Sequence, residues 1–166
     1  PSYEDPLGTI TTNAIGTANL LDALRSLDKP VVAIMITSDK AYDNVEWVWG
    51  YRETDRLGGK DPYSASKAAL NQLARVVALE WANFGIRVNI IHPNAVFDTG
   101  IWTNEVIKNR AKSYEMSVEE YKKNNLLKTE ITSKDVAELI TQMCGSSFFK
   151  TTGAQVSIDG GNERVI

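Results

Sequence analysis

Ile10, Ala14, Thr17, Leu21 and Leu24 recur at three- and four-residue steps, with Leu20 beside them, and predict a helix from about Pro6 to Leu27. Asp28-Lys29-Pro30 then stops it. Val31 to Thr37 is continuously apolar, the pattern of a strand covered on both faces. From Ser38 to Lys60 the chain is polar and aromatic, with Trp47, Trp49 and Tyr51 in quick succession, and reads as a long loop. Those aromatics either wall a pocket or pin the loop to the body. A run rich in Ala, Leu, Lys, Gln, Arg and Glu, Ala65 to Trp81, predicts a second helix, and Pro62 suits its first turn. Ile86 to Ile91 follows as a second strand. A helix between two strands is a crossover unit, which implies parallel pairing.

Further on, Glu105 to Lys123 is charged and helix-prone, and Lys122-Lys123 within it reads as a solvated face. Thr132-Ser133-Lys134-Asp135 forms a capping box with Asp in place of the usual Glu. It opens a helix carrying Val136, Leu139, Ile140 and Met143, and Gly145 is placed to end it. Thr152 to Gly161 supplies a last strand and turn. The predicted class is α/β: the C-terminal part of a doubly wound, Rossmann-like parallel sheet with flanking helices.

Size and composition narrow the function classes. The chain has 166 residues, one domain's worth, with 43% hydrophobic and 23% charged residues. A net charge of −3 without a basic stripe argues against nucleic-acid binding. No apolar run approaches the roughly 20 residues that span a bilayer, and no signal peptide opens the chain, so a cytoplasmic protein is expected. The single Cys144 forms no internal disulfide and, lying on an apolar helical segment, reads as a core thiol. His92 is the sole histidine, so no histidine-based triad or metal cluster can be assembled. It is read as orienting the loop after its strand.

The candidate chemistry lies in Asp61-Pro62-Tyr63-Ser64-Ala65-Ser66-Lys67, where a tyrosine and a lysine stand four residues apart on one helix face. An ammonium about 4 Å from a phenol favours the phenolate by roughly 4 kcal/mol at a near-surface dielectric. Such a phenol can take a proton from a hydroxyl or return one to a carbonyl. The same spacing also arises by chance on many helices. The strand–helix–strand setting favours the chemical reading, as do Ser38, Asp39 and Lys40 at the carboxyl end of the first strand, where open α/β sheets place their sites.

At these residues the chain resembles the short-chain dehydrogenase/reductase superfamily, whose Tyr-x-x-x-Lys pair matches Tyr63 and Lys67 and whose site asparagine matches Asn13. Residues 2 to 68 resemble the CDP-glucose 4,6-dehydratases, through Ser2 to Thr9, Thr37 to Lys40, Asn44 to Glu53 and Leu57 to Tyr63. Residues 68 to 166 resemble the dehydrogenase half of bifunctional rhamnulose-1-phosphate aldolase/lactaldehyde dehydrogenases, through His92 to Trp102 and Leu126 to Glu130. The two likenesses meet at Tyr-Ser-Ala-Ser-Lys-Ala, which both branches share.

The resemblance implies catalytic roles for Asn13, Ser38, Asp39, Lys40, Tyr63 and Lys67. It implies NAD or NADP as cofactor, contacted by Tyr63, Lys67, Pro93, Asn94, Val96 and Thr99, and a small sugar-derived alcohol or carbonyl as substrate. Pro93-Asn94 stands where the superfamily often has Pro-Gly, and asparagine tolerates a left-handed backbone. A CDP-glucose 4,6-dehydratase-like lyase and a non-catalytic dimerising unit are the alternatives. No Gly-x-Gly-x-x-Gly or Gly-x-x-x-Gly-x-Gly follows an opening strand, so residues 1–166 are expected to be a single partial NAD(P)-binding Rossmann domain lacking its glycine-rich first half. The resemblance also implies a homodimer through the helices near 6–27 and 62–84, and the missing half implies a bare edge on the strand Val31 to Thr37.

Overall fold

The computed structural model describes residues 2–27, 29–42 and 56–162, with the backbone alone for Asp39. The Trp-bearing stretch, with Trp47, Trp49 and Tyr51, lies outside the described residues.

Three parallel strands, β1 (Val31–Ile36), β2 (Ile86–Pro93) and β3 (Gln155–Ile158), form one sheet in the order β1-β2-β3. Val31 pairs with Ile86 and Ile36 with Ile91 across the first ladder; Ile90 pairs with Gln155 and Pro93 with Ile158 across the second. Among the described residues β1 pairs on one side only, which is the bare edge expected of it. β2 is central, and its side chains divide by the two-residue pleat. Ile86, Val88 and Ile90 join Leu70, Ala74, Val77, Ala78 and Trp81 of the crossover helix region in the buried core. Arg87, one residue out of phase, turns to the other face, where it donates to the carbonyls of Thr151 and Met143.

The chain opens with α1 (Pro6–Ile10), a π-helical turn (Thr11–Ile15) and α2 (Gly16–Leu24). A single helix to Leu27 was expected. The ladder instead slips at Gly16, whose N–H reaches back to Thr11 O. The last residues tighten into three-residue bonds, Arg25 to Asp22, Ser26 to Ala23 and Leu27 to Leu24. Leu21 of the predicted stripe is buried, whereas Leu20 is 64% exposed.

The crossover helix α3 (Pro62–Glu80) starts where Asp61 caps it, accepting from Ser64 N and Ser64 Oγ, with Pro62 at its first position. The charged segment after β2 is two helices, α4 (Asn104–Ser113) and α5 (Val118–Lys122), parted at Glu115, which sits at φ 56°. Lys122 is not a plain solvated face: it pairs with Glu130 at 2.8 Å and lies over Phe97. Finally α6 (Ser133–Cys144) carries the predicted box, Thr132 and Asp135 exchanging bonds in both directions.

Gly145 ends α6 in an extended conformation at φ −82°, not as a left-handed cap. Cys144 corrects the reading of a core thiol. Met143 takes the buried place at 0% exposure, and Cys144, about 100° further round the helix, is exposed.

Candidate active site

Asn13, Tyr63, Ser66 and Lys67 are brought together where the π-helical turn lies against the start of α3. Asn13 Nδ2 donates to Ser66 Oγ at 2.9 Å, and Ser66 Oγ donates to the Tyr63 carbonyl at 2.7 Å. The slipped ladder serves this geometry. Thr17 Oγ1 donates to the Asn13 carbonyl at 2.6 Å, so the backbone around the turn stays satisfied while the amide points to the neighbouring helix. Ser66 is fully buried and was not singled out from sequence. Its position three residues beyond Tyr63, on the same helix face, was the available signal.

Tyr63 is 38% exposed, and the Lys67 ammonium lies over its ring, 5.4 Å from the centroid. Burial lowers the Lys67 pKa from its ordinary value. Among the described residues this ammonium makes no hydrogen bond or ion pair. A half-buried cation that meets no acceptor among the described residues, near the carboxyl ends of parallel strands, fits the hydroxyl oxygens of a dinucleotide ribose. Beside Tyr63 lies a depression of about 500 Å³ lined by Ser2, Asp5, Thr9, Thr12 and Asn13.

Ser38 and Lys40 stand at the carboxyl end of β1. Ser38 Oγ accepts from Lys40 N at 3.1 Å and Ser38 O from Ala41 N, closing a 3-10 turn (Asp39–Ala41) that packs against α3. The Lys40 charge also reaches Asp61. Asp61 has a lowered pKa chiefly because its carboxylate accepts from Ser64, with Lys40 the smallest contributor. The predicted role of Asp39 rests on a side chain outside the description.

Pro93 and Asn94 leave the end of β2, with Asn94 N donating to Ile158 O. This bond continues the strand, so the left-handed residue comes one position later, at Ala95 (φ 53°), instead of at Asn94. Thr99 Oγ1 donates to Val96 O, and Val96 bridges to Ile131. Among the described residues no recorded bond joins this turn to Tyr63 or Lys67.

A third group was not predicted. Thr37 Oγ1 lies 2.8 Å from His92 Nδ1, and His92 Nε2 lies 3.1 Å from the side-chain amide of Gln155, the first residue of β3. Tyr42 Oη reaches the same amide at 2.6 Å. His92, read as orienting its loop, thus ties three strand ends together.

Parallel strands with a crossover helix and flanking helices define a Rossmann-like fold, and a tyrosine–lysine helix stands at the carboxyl edge. The family described as "Enoyl-(Acyl carrier protein) reductase" matches residues 4–163. The chain belongs to the short-chain dehydrogenase/reductase superfamily. It is 36% identical over 121 residues to a CDP-glucose 4,6-dehydratase of Salmonella typhimurium, a match covering 69% of this chain and 34% of that protein. It is 38% identical over 104 residues to an uncharacterized oxidoreductase, YuxG, of Bacillus subtilis, covering 60% of this chain and 15% of the relative. Among solved structures, sorbitol-6-phosphate 2-dehydrogenase of Erwinia amylovora superposes with a TM-score of 0.73 at 18% identity, over 96% of this chain and 60% of the other. A dehydrogenase/reductase of Sinorhizobium meliloti gives 0.69 at 26% identity, over 96% and 55%. The chain therefore spans a minority of the length of these curated relatives and somewhat more than half of the solved structures. No helix among the described residues is long and apolar enough to cross a membrane.

Proposed function

We propose that this chain carries the catalytic half of an NAD- or NADP-dependent oxidoreductase acting on a sugar-derived alcohol or carbonyl. The observation behind this reading is the joined set Asn13, Ser66, Tyr63 and Lys67 in a superfamily member. The Tyr63 phenol holds or releases the proton of the substrate oxygen. Lys67 lends its positive charge to the phenolate and offers its ammonium to ribose hydroxyls. Ser38 positions the substrate oxygen, and Asn13 supports a relay water beside the phenol. When bound, the nicotinamide supplies or accepts the hydride, and Pro93, Asn94, Val96 and Thr99 flank it. The depression beside Tyr63, with Ser2, Asp5, Thr9 and Thr12 around a largely apolar lining, is the proposed place for the substrate.

In the same reading the chain is one partial dinucleotide-binding domain, active as a homodimer through its first helices and α3. The test is NAD(P)H turnover with a panel of small sugar alcohols and their carbonyl partners. Tyr63→Phe is expected to lower kcat by roughly two to four orders of magnitude with the fold intact. A Tyr63→Phe protein that turns over normally sinks the assignment. Weak dinucleotide binding is expected of these 166 residues alone, and micromolar affinity for NADH in a fluorescence titration would contradict the proposed missing half.

The identity to CDP-glucose 4,6-dehydratase favours a second reading, a lyase in which Asp39 protonates the leaving hydroxyl and Lys40 assists proton removal. CDP-glucose incubated with the full gene product then gives a rise in keto-sugar absorbance; a flat trace removes this reading.

A further inference from the structure

One end of the Gln155 amide faces two donors, Arg75 Nη2 at 3.1 Å and Arg75 Nε at 3.2 Å, so that end is the carbonyl oxygen. The amide nitrogen then faces Tyr42 Oη at 2.6 Å, His92 Nε2 at 3.1 Å and Asn71 Nδ2 at 3.3 Å; its two protons go to the two nearer atoms, Tyr42 Oη and His92 Nε2. A nitrogen that accepts from this amide carries no proton. His92 is thereby fixed as the tautomer protonated on Nδ1, which donates to Thr37 Oγ1 at 2.8 Å. The partners come from four places. Thr37 immediately precedes Ser38 at the end of β1, and Tyr42 closes the turn that carries Lys40 and bridges to Leu57 across the long loop. Asn71 and Arg75 lie on α3, one and two turns beyond Lys67, and His92 precedes the turn after β2. His92, Asn71 and Tyr42 are each at least nine-tenths buried.

We propose that Gln155 is a positioning residue. Its amide, oriented by Arg75, fixes the His92 tautomer and thereby holds the Ser38–Lys40 turn in register with the helix bearing Tyr63 and Lys67. The catalytic part of this statement rests on the oxidoreductase reading above; the tautomer and the rigidity of the turn do not. A carboxylate at 155 keeps an oxygen for Arg75 and replaces the N–H donor by a second acceptor, with nearly unchanged shape. Packing alone is indifferent to that exchange, whereas the His92 proton is not.

The test uses the full chain, in which His92 gives the single imidazole signal. Long-range nitrogen–proton correlation at neutral pH is expected to show His92 protonated on Nδ1 alone in the unaltered protein and on Nε2 in Gln155→Glu. Hydrogen exchange of Ala41 N–H and Gly58 N–H, which bond Ser38 O and Ala41 O, is expected to quicken in the variant. An unaltered protein protonated on Nε2, or a variant whose tautomer changes without faster exchange at Ala41 and Gly58, overturns the proposal. Turnover supplies the link to chemistry: kcat of Gln155→Glu is expected to fall roughly ten- to a hundredfold. Absent turnover by a full gene product that binds NAD(P)H counts against the oxidoreductase reading, while the tautomer and exchange results still decide the role of Gln155. If Gln155→Glu fails to fold, His92→Gln, which keeps an acceptor near the Nε2 position but loses the Nδ1 donor to Thr37 Oγ1, is expected to quicken exchange at Ala41. Unchanged slow exchange there overturns the proposal equally.

Discussion

The ammonium of Lys67 occupies a place that costs the fold something. Burial lowers its pKa, so the folded state disfavours the charged form that the unfolded chain holds easily. The sign follows from linkage. Between the lowered folded value and the ordinary value of 10.5 the unfolded chain binds more protons, and stability rises with pH there. Below the folded value both states are charged, and the penalty stands in full there. Lys67→Met is therefore expected to unfold at a temperature no lower than the unaltered chain near neutrality, and to lose the stability gain at alkaline pH. The same variant is expected to abolish turnover, a trade of stability for chemistry at one residue. Thermal melts across about pH 7 to 11 check it, and a variant clearly less stable at neutral pH refutes the desolvation argument. Asn13 makes a companion case: Thr17 Oγ1 donates to its carbonyl within the π-helical turn while its own amide donates to Ser66 Oγ.

At the scale of elements, α3 places the phenol, and Asp61 places α3. Its carboxylate accepts from both the backbone and the hydroxyl of Ser64, which holds its pKa below the ordinary 3.8. A depressed carboxylate contributes stability that is present above the unfolded value and lost as pH falls through the folded one. Asp61→Ala is expected to cost about 1 kcal/mol at neutral pH, a difference that narrows in acid below about pH 4. Urea melts at several pH values measure this, and a gap that widens in acid contradicts it. The start of α3 was legible because Pro62 and the run after it are local signals, as was the Thr132–Asp135 box of α6; the Asp61 cap was not read from the sequence. The slipped ladder at Gly16 was not, since three- and four-residue apolar spacing is blind to one extra residue in a turn. Nor was the Gln155 hub, whose members 37, 92 and 155 become neighbours only through the register of three parallel strands. Asn94 shows a subtler limit. Its tolerance of left-handed backbone is not called on: Asn94 N bonds Ile158 O, and the positive φ falls at Ala95.

For the whole molecule, the described residues expose apolar side chains in two settings. Leu7, Ile15 and Leu20 of the first helices and Leu79 of α3 are exposed by half or more, Leu79 by 82%. Ile36 is exposed by 53% on β1, the edge strand among the described residues. Their consequences differ. A helix face of scattered leucines closes on a twofold copy of itself and stops at two, because the patch is then consumed. An apolar strand edge repeats its backbone donors and acceptors outward, so its association has no natural end. Leu79→Glu puts a charge on the exposed apolar side of α3 in the proposed dimer face and is expected to shift the sedimenting species from dimer to monomer. Ile36→Lys is expected to leave that dimer intact and to suppress larger, concentration-dependent species. A dimer that survives Leu79→Glu but vanishes with Ile36→Lys assigns self-association to the sheet edge, and the helix-paired assembly falls with it.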